Sequence, residues 1–198
     1  MKIDGDVTLQ TKLLKITHTA NDEAVLNEAA KLLREGHLVA IPTETVYGLA
    51  ANALDPKASA AIYAAKGRPS DNPLIVHVAD VSEIPPLVKH VPDALYRLAE
   101  KFWPGPMTVI MEKSDAVPYQ TSGGLDTIAI RMPSHPVANE LIRRSGVPLA
   151  APSANLSGSP SPTCAQHCVD DLTGRVDAIV DGGACEVGVE YTVLSLCT

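Results

Sequence analysis

Short apolar segments alternate with amphipathic segments along most of the chain, and this alternation limits the fold more than any other feature. Residues 22–34 have the apolar spacing of a helix that buries one face. Residues 38–41 form a short apolar run that ends at Pro42, as a buried strand would. Asp55 and Pro56 then provide an N-cap and a first helical position for a second helix. Strands alternating with helices predict an α/β domain with a mixed sheet.

The rest of the chain continues the same pattern, without an internal repeat or a dividing linker. We therefore predict a single α/β domain in which helices flank a twisted mixed sheet. Residues 1–20 are interpreted as an N-terminal extension and residues 21–198 as the domain. Further strands are predicted at residues 74–78, 107–111, 127–131, 149–151, 178–180 and 192–196, and further helices at residues 81–89, 93–102 and 135–144.

The charge balance of the chain limits the partners that it attracts. Hydrophobic residues make up 45% and charged residues 20%, a balance typical of globular proteins. The formal net charge of −7 does not favour nucleic acid or anionic lipid, so a phosphate site requires a local group of Lys and Arg. The sequence has neither a run of about 20 apolar residues nor the apolar core of a signal peptide. We expect a cytoplasmic protein that does not enter a membrane.

The four cysteines are too few for a disulfide framework in a chain of 198 residues. Cys164, His167 and Cys168 could share one helix face as three metal ligands. The usual zinc spacings are absent around them. We favour reduced structural thiols and expect no metal site.

Polar clusters follow the first strand and the second helix. Thr43 and Thr45 follow Pro42, at a sheet edge where ligands of open α/β folds commonly lie, although such threonines also cap helices. Lys66 and Arg68 flank a glycine, so the backbone there can approach an anion closely. A basic helix end without a ligand has the same composition. Each pattern alone leaves both interpretations open.

Four more clusters lie on or beside later strands. His77 lies within an apolar strand, where a histidine is usually a satisfied core or surface residue. Thr108 follows a rigid turn at residues 103–107. Arg131 ends a strand, and it could pair with a carboxylate or be solvated. Residues 151–163 offer hydroxyls, an amide and backbone donors, a composition that suits nucleotide oxygens and also suits an ordinary turn.

Together and in this order, these clusters resemble the YrdC-like family, and the resemblance extends from about residue 21 to residue 196. It implies a twisted α/β sheet with a concave ligand-binding face. It also implies a nucleotidyltransferase that converts L-threonine, bicarbonate and ATP into threonylcarbamoyl-AMP and pyrophosphate. Separate transferase proteins then use the product for the N6-threonylcarbamoyladenosine modification of tRNA. The segments that carry the resemblance are residues 42–49, 66–69, 72–77, 103–108, 131–133 and 152–158.

The resemblance also implies roles for particular residues. Lys66 and Arg68 are expected to be surface-facing catalytic cations that hold the ATP phosphates, while Mg²⁺ accompanies ATP without a dedicated protein cage. Tyr191 stands in the threonine pocket where the family usually has a serine. The remaining expected contacts are Asn72, Ser153, Asn155 and Ser161 for ATP, and Thr43, His77, Thr108 and Arg131 for threonine and bicarbonate.

The family pattern continues beyond Thr198 into a basic segment, so its C-terminal end is missing here. Two other functions stay open at this point. One is a relative that makes a carbamoyl-adenylate from another carbamoyl donor. The other is an RNA-binding paralogue without synthase activity, whose concave face would bind tRNA weakly, although the net charge of −7 opposes it.

Overall fold

The structure is a computed structural model that describes residues 9–19, 22–188 and 192–197. Strands and helices alternate along it much as the sequence predicts. The described strands are β1 (Lys12–Lys15), β2 (Val39–Ile41), β3 (Gly48–Asn52), β4 (Ile75–His77), β5 (Met107–Glu112), β6 (Thr127–Arg131), β7 (Leu149–Ala150), β8 (Ala178–Asp181) and β9 (Thr192–Ser195). The described α-helices are α1 (Glu23–Arg34), α2 (Pro56–Lys66), α3 (Asp93–Phe102), α4 (Tyr119–Ser122), α5 (Pro136–Ser145) and α6 (Ala165–Leu172).

The described strands form one mixed sheet of nine strands in the order β1-β8-β2-β3-β7-β4-β6-β5-β9. β8 runs parallel to both β1 and β2, and β4 runs parallel to β6. β2 and β3 are antiparallel, as are β5 and β6. The predicted fold class, an α/β domain with a mixed sheet flanked by helices, is confirmed.

The two faces of the sheet each cover an apolar cluster. Along β2, Ala40 belongs to one cluster, while Val39 and Ile41 belong to the other. Neighbouring strand residues point to opposite faces, so the two clusters lie on opposite sides of the sheet. α2 and α3 supply Ile62 and Leu95 to the first cluster, and α1 and α5 supply the second. The sheet thus carries helices on both faces.

Helix α2 has the boundaries that its sequence predicts. The Asp55 side chain accepts a hydrogen bond from the backbone N–H of Lys57 at 2.8 Å, and Pro56 takes the first helical position. Gly67 ends the helix with φ of +62°, in the left-handed region. This cap turns the chain directly before Arg68.

Among the described helices, none is long and apolar enough to cross a membrane.

The structure differs from the predicted elements at several places, which include the two unpredicted helices α4 and α6. Residues 81–89 form two short 3₁₀ turns rather than one helix, since Pro85 and Pro86 cannot donate helical hydrogen bonds. β3 was not predicted because its sequence, Gly-Leu-Ala-Ala-Asn, lacks the β-branched residues typical of strands. Residues 12–15, within the predicted N-terminal extension, form β1 and pair with β8.

Candidate functional site

A cavity of about 220 Å³ brings together polar residues from separate parts of the chain. The turn after β2 and the end of α2 form two of its walls. Strand β4, the end of β6 and the segment after β7 form the others. The lining residues are Thr43, Thr45, Val46, Gly48, Arg68, Pro73, Ile75, His77, Arg131, Ala151, Pro152 and Ser153.

Thr43 holds the turn after β2 in shape. Its hydroxyl donates to the Val46 carbonyl at 2.6 Å and accepts from the backbone N–H groups of Thr45 and Val46, at 3.2 and 3.3 Å. Side-chain bonds of this kind fix a turn without help from a neighbouring element. Thr43 therefore lines the cavity and caps its own turn, rather than capping a helix.

Arg131 and Glu44 form a buried ion pair at the cavity wall. The Nη2 atom of Arg131 donates to Glu44 Oε1 at 2.6 Å and to Thr45 Oγ1 at 3.1 Å. Only 2% of the Arg131 side chain and 7% of the Glu44 side chain are exposed. Burial raises the pKa of the Glu44 carboxyl, but the charge and hydrogen bond of Arg131 outweigh burial, so its pKa lies below the ordinary value. Glu44 is therefore an anion at neutral pH.

His77 lies at the end of β4, opposite Arg131 in the sheet register. Its side chain is buried, and Nδ1 lies 3.2 Å from the Ile75 carbonyl oxygen. Burial, followed by the positive charge of Arg131, lowers the pKa of His77 to about 4. The imidazole is neutral at pH 7. It can hydrogen-bond a ligand there, but it is a poor proton acceptor.

Lys66 does not face the surface, contrary to the expectation from the sequence. The side chain is buried, and its ammonium group donates to the carbonyls of Ser153 and of Asn155, the latter at 2.6 Å. Burial, followed by the charge of Arg68, lowers the pKa of Lys66 to about 8. That expectation was wrong because the segment containing Ser153 folds over the end of α2. Lys66 thereby holds one wall of the cavity from behind.

Arg68 is the cation of this pair that faces the cavity. It is half-buried, and its Nε and Nη2 donate to the carbonyls of Asn72 and Pro73, both at 3.4 Å. Hydrogen bonds of this length are weak. The guanidinium is therefore held loosely and can turn towards an anionic ligand.

The structure brings five of the predicted site residues to one cavity, and several others lie elsewhere. Asn72 is exposed outside the cavity. Thr108 is fully buried opposite Arg131, and its hydroxyl has no hydrogen-bond partner among the described residues. Ser161 lines a separate cavity of about 260 Å³, and Tyr191 lies outside the described residues. The five that line the site are Thr43, Arg68, His77, Arg131 and Ser153.

Glu44 is a site residue that the sequence did not single out, and Thr45 was noted only as a polar residue after the first strand, without an assigned contact. Both belong to the segment 42–49 that carries the resemblance, and this is the signal that could have found them. Their contact with Arg131, 87 and 86 residues further along the chain, exists only in the folded protein.

The segment that leaves β8 passes beside the same turn. Residues 182–188, here called the crossing segment, lead from β8 towards β9, which lies at the far edge of the sheet. The N–H groups of Val187 and Gly188 donate to the carbonyls of Glu44 and Thr45, at 3.0 and 3.1 Å. The turn after β2 therefore holds both Arg131 and the crossing segment.

Thiols and carboxylates do not form a metal centre in the part of the chain that the structure describes. No group of three or more His, Cys, Asp or Glu there could hold a metal ion. The cysteines are free thiols, and burial raises the pKa of the Cys168 thiol to about 12. Cys168 is thus a protonated core residue at neutral pH.

The mixed sheet and its cavity define an α/β protein with a polar cavity that is lined by two arginines, Arg68 and Arg131. The family model described as Sua5_yciO_yrdC, Telomere recombination, matches residues 31–198. The chain belongs to this Sua5/YciO/YrdC family, as its motifs indicate.

Two curated relatives and one solved structure are closely similar to the chain. The threonylcarbamoyl-AMP synthase of Pyrococcus abyssi is 53% identical over 175 residues, which cover 88% of this chain and 52% of the relative. The synthase of the same name from Bacillus subtilis is 56% identical over 178 residues, covering 89% and 51%. The crystal structure of P. abyssi Sua5 complexed with L-threonine has a TM-score of 0.92 at 50% identity, covering 94% of this chain and 54% of that one. The chain thus spans about half the length of these relatives.

Proposed function

We propose that this chain is a threonylcarbamoyl-AMP synthase, which makes threonylcarbamoyl-AMP, pyrophosphate and water from L-threonine, bicarbonate and ATP. The cavity that unites Arg68, His77 and Arg131 carries the proposal, because it supplies a cation for phosphate and a polar pocket for an amino acid. The two relatives named threonylcarbamoyl-AMP synthase favour this reaction over the two alternatives that the sequence left open. In the cytoplasm, separate transferase proteins would transfer its threonylcarbamoyl group to tRNA and release AMP.

Because the cavity is small, we divide the substrates between two regions of the site. At about 220 Å³ it is smaller than the roughly 300–1,000 Å³ of sites that enclose a drug-sized ligand. We assign the inner region, at Thr45, His77 and Arg131, to threonine and its carbamate. The ATP phosphates are assigned to Arg68 and Ser153, with the nucleoside beyond them.

Charge and position, rather than a covalent intermediate, account for the reaction. The threonine amine adds to bicarbonate to give a carbamate and water, and a carbamate oxygen then attacks the α-phosphorus of ATP as pyrophosphate leaves. Arg68 would neutralise the phosphates, and Arg131 would hold the threonine carboxylate. The described lining residues include no carboxylate, so we assign Mg²⁺ to the ATP phosphates themselves.

Lys66 has an indirect part in this proposal. Its ammonium group holds the carbonyls of Ser153 and Asn155, so it shapes the wall that would contact the phosphates. The ATP contacts of Asn72, Asn155 and Ser161, and the threonine contact of Thr108, stay predictions.

Pyrophosphate release by the purified chain tests the proposal. We expect release only when ATP, L-threonine and bicarbonate are all present, and we expect mass spectrometry to detect threonylcarbamoyl-AMP. Omitting threonine and omitting bicarbonate are the two controls. Release at the same rate without threonine would show that the chain catalyses a different reaction.

A further inference from the structure

The inner region of the cavity contains an ion pair whose anion does not line the cavity. Glu44 contacts Arg131 at 2.6 Å from behind the wall, whereas Arg131 itself lines the cavity. Nothing in the proposed reaction requires an anion at this position, since the threonine carboxylate alone could pair with Arg131. The buried carboxylate therefore needs an explanation of its own, and this explanation rests on the proposed function.

The charges around the inner region sum to zero only because of Glu44. Among the described lining residues, the charged side chains are Arg68 and Arg131. His77 is neutral, and burial also lowers the pKa of His135, which interacts electrostatically with Glu44 as His77 does. With Glu44 counted, the inner region holds one positive and one negative charge, and the outer region keeps the positive charge of Arg68.

We propose that Glu44 determines specificity by making the inner region select a zwitterionic amino acid over a simple carboxylate anion. A neutral region with separated charges matches a ligand that also has separated charges and no net charge. The negative charge of Glu44 repels the carboxylate of a ligand that has no ammonium group to offset this repulsion. Inside a protein this field is strong, because the pair is shielded from water.

A purely structural role for Glu44 makes a different prediction. If the ion pair only holds the turn after β2 and the end of β6 together, its loss weakens all ligands of the inner region alike. Selection by charge instead changes the ratio of two affinities. The ratio of the affinity for a zwitterion to the affinity for its analogue without the ammonium group therefore separates the two roles.

The test uses Glu44→Gln with two ligands measured by isothermal titration calorimetry. L-Threonine and 3-hydroxybutanoate share the carboxylate, hydroxyl and methyl groups, but only threonine has the ammonium group. We expect the wild-type chain to prefer threonine by at least about tenfold, and we expect Glu44→Gln to reduce this preference at least about tenfold. Glu28→Gln is the matched control, because Glu28 pairs with Lys12 at the same 2.6 Å but on the surface. It should leave the preference unchanged.

Two results would overturn the inference. One is a wild-type chain that binds both ligands equally well, and the other is a Glu44→Gln variant with the wild-type preference. If Glu44→Gln does not fold, Glu44→Asp replaces it, because it retains the charge and should retain the preference; loss of the preference in Glu44→Asp would overturn the inference as well. Threonine-dependent pyrophosphate release by the wild-type chain, measured alongside, shows whether the proposed function holds independently of this selection.

Discussion

Lys66 and Arg68 are separated by a single glycine, yet their surroundings give them different tasks. The Lys66 ammonium group is buried against two backbone carbonyls, whereas the Arg68 guanidinium lines the cavity. A sequence motif alone treats the two as equivalent cations. Substitution of Lys66 should therefore mainly reduce stability, whereas substitution of Arg68 should mainly reduce catalysis.

Arg68→Ala should remove activity and leave the fold intact. We expect pyrophosphate release to fall by about 100-fold or more, because a charged donor to the phosphates is lost. The free energy of unfolding should change by no more than about 0.5 kcal/mol, since the hydrogen bonds of Arg68 are long and the residue is half-buried. Arg143→Ala, at an exposed arginine outside the cavity, is the control and should keep full activity.

Lys66→Met should reduce stability by about 1–3 kcal/mol, because the carbonyls of Ser153 and Asn155 lose their buried donor. Urea unfolding followed by circular dichroism measures this loss. Lys57→Met, at the exposed start of the same helix, should change little. Equal stability of the two variants would contradict the role that we assign to Lys66.

His77 should make the folded protein sensitive to acid. The pKa of His77 is about 4 in the folded protein, below its ordinary value of 6.5, so the unfolded chain binds the proton first as the pH falls. Stability should therefore decrease between pH 6.5 and 4 by about 3 kcal/mol more in the wild type than in His77→Gln. Urea unfolding at several pH values tests this difference, and parallel pH curves for the two proteins would refute it.

At the scale of elements, α2 positions both cations through its C-terminal cap. Gly67 has φ of +62°, and a Cβ atom placed there would have open space around it. The cost of a side chain is therefore conformational alone. Gly67→Ala should lower the free energy of unfolding by about 1 kcal/mol, and Gly67→Asn by less, since asparagine tolerates the left-handed region better. Chemical denaturation of both variants gives the comparison, and an equal loss would mean that the cap is not the cause.

The sequence predicts elements well where the local signal is complete. The signals that bound α2 are the N-cap Asp55, Pro56 and the terminal Gly67, and all three lie in the helix or directly beside it. The structure confirms its boundaries. β3 lacks such a signal, since its Gly and Ala residues form a strand only between neighbouring strands. Several motifs likewise indicated the cavity, because Thr43, Arg68 and Arg131 follow or end a strand or helix. They could not show that Lys66 is covered or that Glu44 meets Arg131, since both contacts join residues 87 to 89 positions apart.

At the scale of the whole molecule, one sheet supports two apolar clusters. Because residues of β2 and β8 alternate between the clusters, neither cluster can separate from the sheet without disrupting the other. We expect a single cooperative unfolding transition. Trp103, the only tryptophan, packs in the first cluster, whereas circular dichroism reports on all the helices, including α1 and α5 of the second cluster. Urea curves from tryptophan fluorescence and from circular dichroism should coincide, and separate midpoints would indicate two folding units.

Two backbone amides of the crossing segment can report on the turn that lines the cavity. The N–H groups of Val187 and Gly188 donate to the same turn whose side chains hold Arg131. These two amides exchange with deuterated solvent only when that turn releases them. Their exchange rates therefore measure how firmly the turn beside the inner region is held, before and after a ligand binds.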